Sequence, residues 1–299
     1  MTTPSPLVWL DGQVLPAEQA RVSVYDRAFR SGEGVYETLR VDDGHAFRLD
    51  QHVERARRGA AALGLTIDVS TLRQAVAEVA AANRRQRPGT DGVVRLTISA
   101  GEMDPALPVP GTPIGTPTIV ATWHPLAHAA GTLPPPVTAV TVPGARPHPH
   151  IKSVSSLPAL LAVREARERG ADQALWVGDD DHVLEAATAN IVAVVDGQLW
   201  SPPADLGLLP GVTLDVVLEL APSLGLTVER RALARPVLLE ADEAMLTSAG
   251  RGVVPLVAVD DVPIGDGTPG PIWRRLHDAY RAEAARERGA AQDRPAAGD

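Results

Sequence analysis

Short apolar segments that alternate with polar residues, joined by Asp-Gly pairs, are the feature that most limits the fold of this chain. LVWLDGQVLP alternates on both sides of Asp11-Gly12, and VYETLRVDDGHAFRL repeats the pattern around Asp43-Gly44. An Asp-Gly pair flanked by alternating apolar residues is a strong local signal for a β-hairpin. In the second segment, a period of two places Tyr36 and Thr38 on one face of the strand and Glu37 on the other. The chain is therefore predicted to begin with antiparallel strands.

Helical periodicity follows these hairpins. A helix is predicted over QHVERARRGAAALGL, capped by Asp50, and a second over TLRQAVAEVAAANRR. Two strands, VVRLTISAG and TPTIVATW, come next, and the second half mixes strands, hairpins and helices up to IWRRLHDAYRAEAARE. Because there is no regular β-α-β alternation and no Gly-x-Gly-x-x-Gly after a strand, we predict an α+β fold without a dinucleotide site.

The composition predicts two domains. PLAHAAGTLPP is rich in Pro, Ala and Gly and has no periodicity, which is typical of a linker. We expect an N-terminal α/β domain over residues 1–124, a linker over 125–136 and a C-terminal domain over 137–288. The last residues, 289–299, consist mostly of Ala, Gly, Asp and Pro, and are predicted to form a disordered tail.

The charge balance bears on partners and location. The formal net charge is −9 and no Lys/Arg-rich run occurs, so binding to nucleic acid or to an anionic membrane is not expected, and a small molecule is the expected ligand. The chain has no cysteine, which excludes disulfides and thiolate chemistry. No signal-peptide pattern and no apolar run of about 20 residues is visible, so we expect a cytoplasmic protein.

Lys152, in RPHPHIKSVSSLP, is the only lysine, so 27 of the 28 Lys and Arg residues are arginine. Arginine can supply charge, but its pKa above about 12 prevents it from acting as a neutral nucleophile, whereas a lysine can be desolvated to a reactive amine. A lysine retained in so arginine-rich a chain is therefore a candidate catalytic residue. Chance survival of one surface lysine explains the composition equally well.

Two further motifs suggest an anion site. LLPGVT places Gly211, Val212 and Thr213 at the start of a helix, where backbone N–H groups and the helix dipole favour phosphate, although a plain Pro-Gly turn has the same sequence. Arg55, in HVERARR, is a candidate clamp for that phosphate, or one of several arginines on a solvated helix face.

A carboxylate and a hydroxyl turn complete the set. Glu185, in VLEAATANI, has small and apolar neighbours, and a buried acid needs a cationic partner, although an exposed strand glutamate also fits the motif. Thr247 and Ser248 follow a predicted strand and can bond a phosphate, a carboxylate or only their own backbone. An amine, an acid, a phosphate cradle and an arginine together are what pyridoxal 5′-phosphate requires.

Six motifs of the chain, in this order and spacing, resemble the class IV aminotransferase family, the pyridoxal phosphate enzymes of fold-type IV. The motifs are DRAFRSGEGVYETL, HVERARRGAAALGL, IKSVSSLPALL, GADQALWVGDDDHVLEAATANI, LLPGVT and ADEAMLTSAGRGVVPL. The resemblance implies two α/β domains with the cofactor at their interface, the C-terminal one binding pyridoxal phosphate, and a homodimer whose neighbouring subunit contributes to the site. It also implies that Lys152 forms the Schiff base and moves protons, and that Glu185 pairs with the pyridine nitrogen. The cofactor phosphate is assigned by the same resemblance to Arg55, Gly211, Val212, Thr213, Ser248 and Ala249.

Within this family the sequence favours an aminodeoxychorismate lyase, which releases 4-aminobenzoate and pyruvate in folate biosynthesis. Thr38 in YETL and Arg251 in TSAGRG resemble the lyase pattern, and a hydroxyl at Thr38 can assist proton transfer. Tyr36, Arg95 and Arg251 are expected to contact substrate. The alternative is an aminotransferase acting on branched-chain or D-amino acids, since Arg95 stands where branched-chain enzymes place a carboxylate-binding arginine.

Two other interpretations of these residues remain. His148 and His150 form a His-x-His pair, but no third ligand of suitable spacing is evident, so no metal site is predicted. A relative that has lost catalysis would look similar, but such a chain is expected to lose Lys152 first under this arginine bias.

Overall fold

A computed structural model describes residues 5–104, 106, 115–126 and 132–292. The chain forms two compact units. Unit 1 comprises residues 1–131, 151–155 and 284–299, and unit 2 comprises residues 132–150 and 156–283. Of the predicted linker, residues 127–131 lie outside the described residues, as do residues 293–299 of the predicted tail.

Unit 1 is built on a six-stranded antiparallel sheet with the order β2-β1-β6-β5-β3-β4. Its strands are β1 (Leu7–Leu10), β2 (Gln13–Pro16), β3 (Gly34–Asp42), β4 (His45–Ala46), β5 (Gly92–Ser99) and β6 (Ile119–Pro125). Both predicted hairpins are confirmed: Asp11 and Gly12 have φ of 45° and 93°, and Asp43 and Gly44 have φ of 50° and 83°. Paired positive φ values suit the two-residue hairpin turns that match the strand twist.

Three helices accompany this sheet: α1 (Arg27–Ser31), α2 (Leu49–Ala62) and α3 (Val69–Gln86). The apolar faces of α2 and α3 and the sheet form one core that includes Leu39, Leu72 and Leu96, all fully buried. The predicted Asp50 cap is wrong, because α2 begins at Leu49 and its N-cap is Arg48 in the left-handed region, with φ of 54°. The Arg48 N–H donates to Glu287 Oε1 at 2.9 Å, a contact across 239 residues that no local pattern reveals.

Unit 2 contains a ten-stranded mixed sheet with the order β12-β11-β10-β14-β15-β7-β8-β9-β13, and β16 pairs with β15. Its strands are β7 (Val137–Pro143), β8 (Gln173–Val177), β9 (His182–Ala186), β10 (Asn190–Val195), β11 (Gln198–Ser201), β12 (Val228–Arg230), β13 (Leu233–Ala234), β14 (Glu243–Ser248), β15 (Gly252–Val259) and β16 (Val262–Pro263). The pairs β7/β8, β7/β15 and β11/β12 are parallel, and the other pairs are antiparallel.

The helices of unit 2 are α4 (Leu157–Glu168), α5 (Val212–Leu220) and α6 (Arg235–Leu239), with 3-10 turns at Ala204–Leu206 and Ala221–Leu224. The last helix, α7 (Pro271–Gln292), begins in unit 2, and its residues from 284 onward belong to unit 1. The predicted tail begins at Gly289, but α7 continues through Gln292, since Ala290 and Ala291 are strong helix formers. Within the described ranges, no helix combines the length and the apolar character that crossing a bilayer requires.

Candidate functional site

The predicted site residues are divided between the two units. Unit 1 contains Lys152, Tyr36, Thr38, Arg55 and Arg95. Unit 2 contains Glu185, Gly211, Val212, Thr213, Ser248, Ala249 and Arg251.

Lys152 lies in a short extended segment, residues 151–155, that pairs with the start of β3. The Tyr36 N–H donates to the Lys152 carbonyl at 2.8 Å, and the Val154 N–H donates to the Gly34 carbonyl at 3.0 Å. Val35 and Ser153 form an antiparallel bridge between these two bonds. Main-chain hydrogen bonds on both sides therefore fix the backbone of Lys152 against the sheet.

The face of β3 that carries Tyr36 also collects two cations. Lys152 Nζ lies 4.8 Å from the centroid of the Tyr36 ring, and the guanidinium carbon of Arg95 lies 3.7 Å from it. Cation–π contacts of this kind contribute about 0.5–2 kcal/mol each, depending on desolvation. Thr38 is paired directly with Arg95 across β3 and β5, which puts both side chains on one face of the sheet. The structure thus brings Tyr36, Thr38, Arg95 and Lys152 together.

Arg55 lies among buried ionic groups on the other face of β3. Its Nε and Nη2 donate to Glu37 Oε1 and Oε2, both at 2.7 Å, and His52 Nδ1 lies 2.7 Å from Glu37 Oε2. All three side chains are buried. The interpretation of Arg55 as one of several arginines on a solvated helix face is therefore excluded.

The charges of this cluster follow from its burial. Burial raises the pKa of the Glu37 carboxyl, but the Arg55 guanidinium and the His52 hydrogen bond outweigh it, and the pKa falls to about 2. Burial lowers the pKa of His52, and the nearby positive charges of Arg55 and Lys152 add to this effect, while Glu37 opposes it only in part. At neutral pH His52 is thus uncharged. Because an ionised carboxylate only accepts, His52 donates its Nδ1–H to Glu37.

In unit 2, Glu185 lies on β9 with almost no exposed surface. Arg146 Nε donates to Glu185 Oε1 at 2.6 Å, and the Asn190 side-chain amide and the Leu209 N–H both approach Glu185 Oε2 at 3.4 Å. The cationic partner that the sequence required for a buried acid is Arg146. Arg146 also donates to the Ala187 carbonyl at 3.2 Å, so its guanidinium is held by two residues at the end of β9, one on each side of Ala186.

The start of α5 adjoins this carboxylate through Asn190. The N-cap Gly211 provides no side-chain cap, and α5 begins at Val212 and Thr213, both buried. Asn190 Nδ2 donates to the Leu209 carbonyl at 2.8 Å, and a Cβ on Gly211 would overlap Asn190 Oδ1. A glycine at position 211 therefore lets the Asn190 amide lie against the helix N-terminus.

The hydroxyl turn lies beside the same asparagine. Thr247 pairs directly with Asn190 across β10 and β14, and its buried Oγ1 has no hydrogen-bond partner among the described residues. Ser248 ends β14 and, like Ala249, is half-buried. Arg251 is exposed in the turn, and no contact within the described part of unit 2 joins it to Glu185 or to α5.

A methyl group at position 211 tests this arrangement. We expect Gly211→Ala to reduce the free energy of unfolding by about 1–3 kcal/mol, because Asn190 must give up its bonds to Leu209 and Glu185 to make room. Urea denaturation measures the effect. Gly289→Ala is the matched control, since nothing lies within 4 Å of a Cβ there and the residue is inside α7, so its stability is expected to stay equal or rise. Equal stability of Gly211→Ala and the wild-type protein would contradict the arrangement.

Sequence reasoning missed four residues of these clusters: Glu37, His52, Arg146 and Asn190. Glu37 carried a signal, because it alternates with Val35 and Leu39 on the apolar face of a strand, where a charge requires a buried partner. The partners themselves are distant in the chain or separated by a turn, and no spacing rule identifies them.

The sequence model of the family described as Amino-transferase class IV matches residues 34–259. The chain belongs to the class IV aminotransferase family. It is 30% identical over 279 residues to a putative branched-chain-amino-acid aminotransferase of Methanocaldococcus jannaschii, with 92% of this chain and 95% of the relative covered. It is 29% identical over 277 residues to a D-alanine aminotransferase of Bacillus licheniformis, with coverage of 92% and 95%.

A solved structure shows the same architecture. The branched-chain aminotransferase from Thermoproteus uzoniensis, crystallised with norvaline, matches this class IV aminotransferase with a TM-score of 0.83 and 28% identity, over 95% of this chain and 97% of that chain. The two-domain fold of fold-type IV is thereby confirmed. The named relatives are aminotransferases, and they support the aminotransferase alternative better than the lyase interpretation.

Class IV aminotransferases depend on pyridoxal 5′-phosphate, and this protein is a pyridoxal-phosphate-dependent enzyme. Its residues fit the cofactor. Lys152 is the one side-chain amine of the chain, Glu185 is a buried carboxylate, and α5 starts without a side-chain cap. The buried hydroxyl of Thr247, without a partner among the described residues, adds a donor suited to phosphate.

Proposed function

We propose that the protein transfers the amino group of a branched-chain or D-amino acid to a 2-oxo acid. The observation that carries this proposal is the contact of Lys152 and Arg95 with one Tyr36 ring. An amine that moves the α-proton and a guanidinium that binds a carboxylate are the two groups that an amino-acid substrate needs. The two sequence relatives, which carry the names of branched-chain and D-alanine aminotransferases, support the substrate class.

Four residues of the chain have distinct proposed roles in this reaction: Lys152, Glu185, Thr38 and Tyr36. When bound, pyridoxal phosphate supplies the carbonyl that takes up the amino group and a ring that accepts electrons. Lys152 would hold the cofactor covalently and, as a free amine, would move the α-proton of the substrate to the cofactor carbon that bears the transferred amino group. Glu185 keeps a proton on the pyridine nitrogen. Thr38 assists proton movement through its hydroxyl, and Tyr36 orients the Lys152 amine.

By the resemblance, the phosphate would be bound at the start of α5, at the turn after β14 and by Arg55. The N–H groups of Val212 and Thr213 and the α5 dipole favour a dianion, and Ser248 and Ala249 add contacts from the turn after β14. Arg55 contributes a fixed positive charge. Arg95 lies beside the same Tyr36 ring as Lys152. We therefore assign Arg95 to the substrate carboxylate.

The lyase remains the competing function, because Thr38 resembles the lyase pattern and lies on the same face of β3 as Tyr36, whose ring contacts Lys152. Arg251, the other residue on which that interpretation depends, is exposed and away from the described contacts of Glu185 and α5. This weakens the lyase interpretation relative to transamination.

We also propose that the enzyme acts as a homodimer in the cytoplasm. Large apolar side chains are exposed at Val24, Phe29, Leu157 and Leu160, with exposed fractions of 60% or more. A second copy would remove such surface from water.

A half-reaction assay tests the proposed activity. The purified holoenzyme is mixed with L-leucine, L-valine or D-alanine without an oxo acid, and its absorbance is followed. We expect the bound cofactor to convert to its pyridoxamine form while the 2-oxo acid appears, because each amino group is transferred once. A parallel sample receives 4-amino-4-deoxychorismate. Release of 4-aminobenzoate and pyruvate there, without conversion by any amino acid, would refute the transaminase and support the lyase.

A further inference from the structure

The buried cluster of Glu37, His52 and Arg55 contains more hydrogen bonds than an ion pair of Glu37 and Arg55 alone requires. Glu37 uses both carboxylate oxygens on Arg55, at 2.7 Å each, and is itself anchored by the His52 Nδ1–H at 2.7 Å. Three charged or polar side chains are thus locked together on the core side of β3, where each would otherwise be costly to bury.

We propose that Glu37, braced by His52, is a positioning residue that orients Arg55 for the phosphate of the cofactor. This inference rests on the proposed role of Arg55 in phosphate binding. The Nε/Nη2 edge of the guanidinium faces Glu37, so the plane of the group is fixed and its Nη1 end points away from the carboxylate.

Orientation, and not charge, is the contribution of Glu37. A carboxylate beside the guanidinium partly cancels its charge and so weakens its attraction for a dianion. An arginine side chain, however, loses rotamer entropy when it is immobilised, and the planar fork binds phosphate well only in one orientation. Holding Arg55 in place before the cofactor arrives removes most of that cost from the binding step.

The position of Glu37 on the strand links this cluster to the substrate side. Its neighbours in sequence, Tyr36 and Thr38, lie on the opposite face of β3 with Lys152 and Arg95. A single strand register therefore sets both the Tyr36 ring and the Arg55 guanidinium, and a shift of β3 would move both together.

Binding of two cofactor forms tests the proposal. Apo-protein is titrated with pyridoxal 5′-phosphate and with pyridoxal, which lacks the phosphate but reacts with the same lysine. For Glu37→Gln we expect the affinity for pyridoxal phosphate to fall by about 10- to 100-fold and that for pyridoxal to change by less than about threefold, since loss of a group that orients a ligand residue has effects of this size. Equal losses for both forms, or none for either, would overturn the proposal.

Three more variants separate the possible failures. Glu54→Gln is the matched control, because Glu54 lies on α2 next to Arg55 but forms an exposed pair with Arg57. It should change the affinity for neither pyridoxal phosphate nor pyridoxal. Arg55→Lys should weaken binding of the phosphorylated form selectively; if it does not, the proposed role of Arg55 itself fails. If Glu37→Gln does not fold, His52→Gln is measured in its place. His52→Gln is expected to lower the affinity for pyridoxal phosphate selectively, by about threefold or more, because the hydrogen bond that holds Glu37 is weakened. Wild-type affinity for pyridoxal phosphate would overturn the proposal.

Discussion

Lys152→Arg is expected to abolish covalent attachment of pyridoxal phosphate and to reduce transamination by at least about 10²–10⁴-fold, the usual contribution of a positioned acid–base group. A guanidinium, with a pKa above about 12, does not become a neutral amine at working pH. No second lysine can substitute, since Lys152 is the only one in the chain. The fold should persist, because the Lys152 backbone bond to Tyr36 does not depend on the side chain and an arginine retains the cation near the ring.

Borohydride reduction followed by peptide mass analysis measures the attachment. The wild-type protein should carry the reduced cofactor on the peptide that contains residue 152. Arg164→Lys is the control, because it introduces an exposed amine on α4 next to Glu168 without touching the candidate site. It should leave both labelling and rate unchanged. A labelled Lys152→Arg protein, or one that retains wild-type turnover, would refute the assignment of Lys152.

The fold was predictable where local chemistry decides it. The Asp11-Gly12 and Asp43-Gly44 turns have the positive φ values that Asp-Gly pairs adopt readily, so both hairpins followed from the sequence. The start of α2 did not, because a contact of Arg48 with Glu287 selects it over the Asp50 cap. No strand was predicted over β15; in the structure Pro255 lies inside this strand opposite Met245 of β14, and the ladder with β7 begins at Leu256, beyond the proline.

The candidate site shows the same limit. Single residues with unusual chemistry, such as Lys152 and Glu185, stand out in the sequence because their residue types are rare in their surroundings. The side chains that pair with predicted residues do not stand out. Arg146, which pairs with Glu185, lies 39 positions away in the chain, and Glu37, which pairs with Arg55, lies 18 positions away. Pairing of side chains depends on strand register and helix placement, and these are properties of the folded chain.

Glu185→Gln is expected to lower kcat by about 10²–10³-fold, equivalent to about 3–4 kcal/mol of transition-state stabilisation. Arg146, Asn190 and Leu209 all present donors to Glu185, which is the arrangement of an ionised carboxylate. A neutral amide cannot hold the proton on the pyridine nitrogen, so the electron-accepting capacity of the ring falls. Covalent attachment at Lys152 should remain, because that step uses a different group of the cofactor.

The same substitution also disturbs a buried ion pair, so stability must be separated from catalysis. Glu243→Gln is the matched control: Glu243 is likewise a buried carboxylate of unit 2, and its oxygens accept the N–H groups of Ile272 and Trp273 at 2.8 and 2.7 Å, at the start of α7. Both variants should unfold at lower urea concentrations, since each leaves a buried donor poorly satisfied. Only Glu185→Gln should lower kcat per folded, cofactor-bearing molecule. If the two variants turn over equally fast, the carboxylate of Glu185 serves the fold alone and its assignment to the pyridine nitrogen fails.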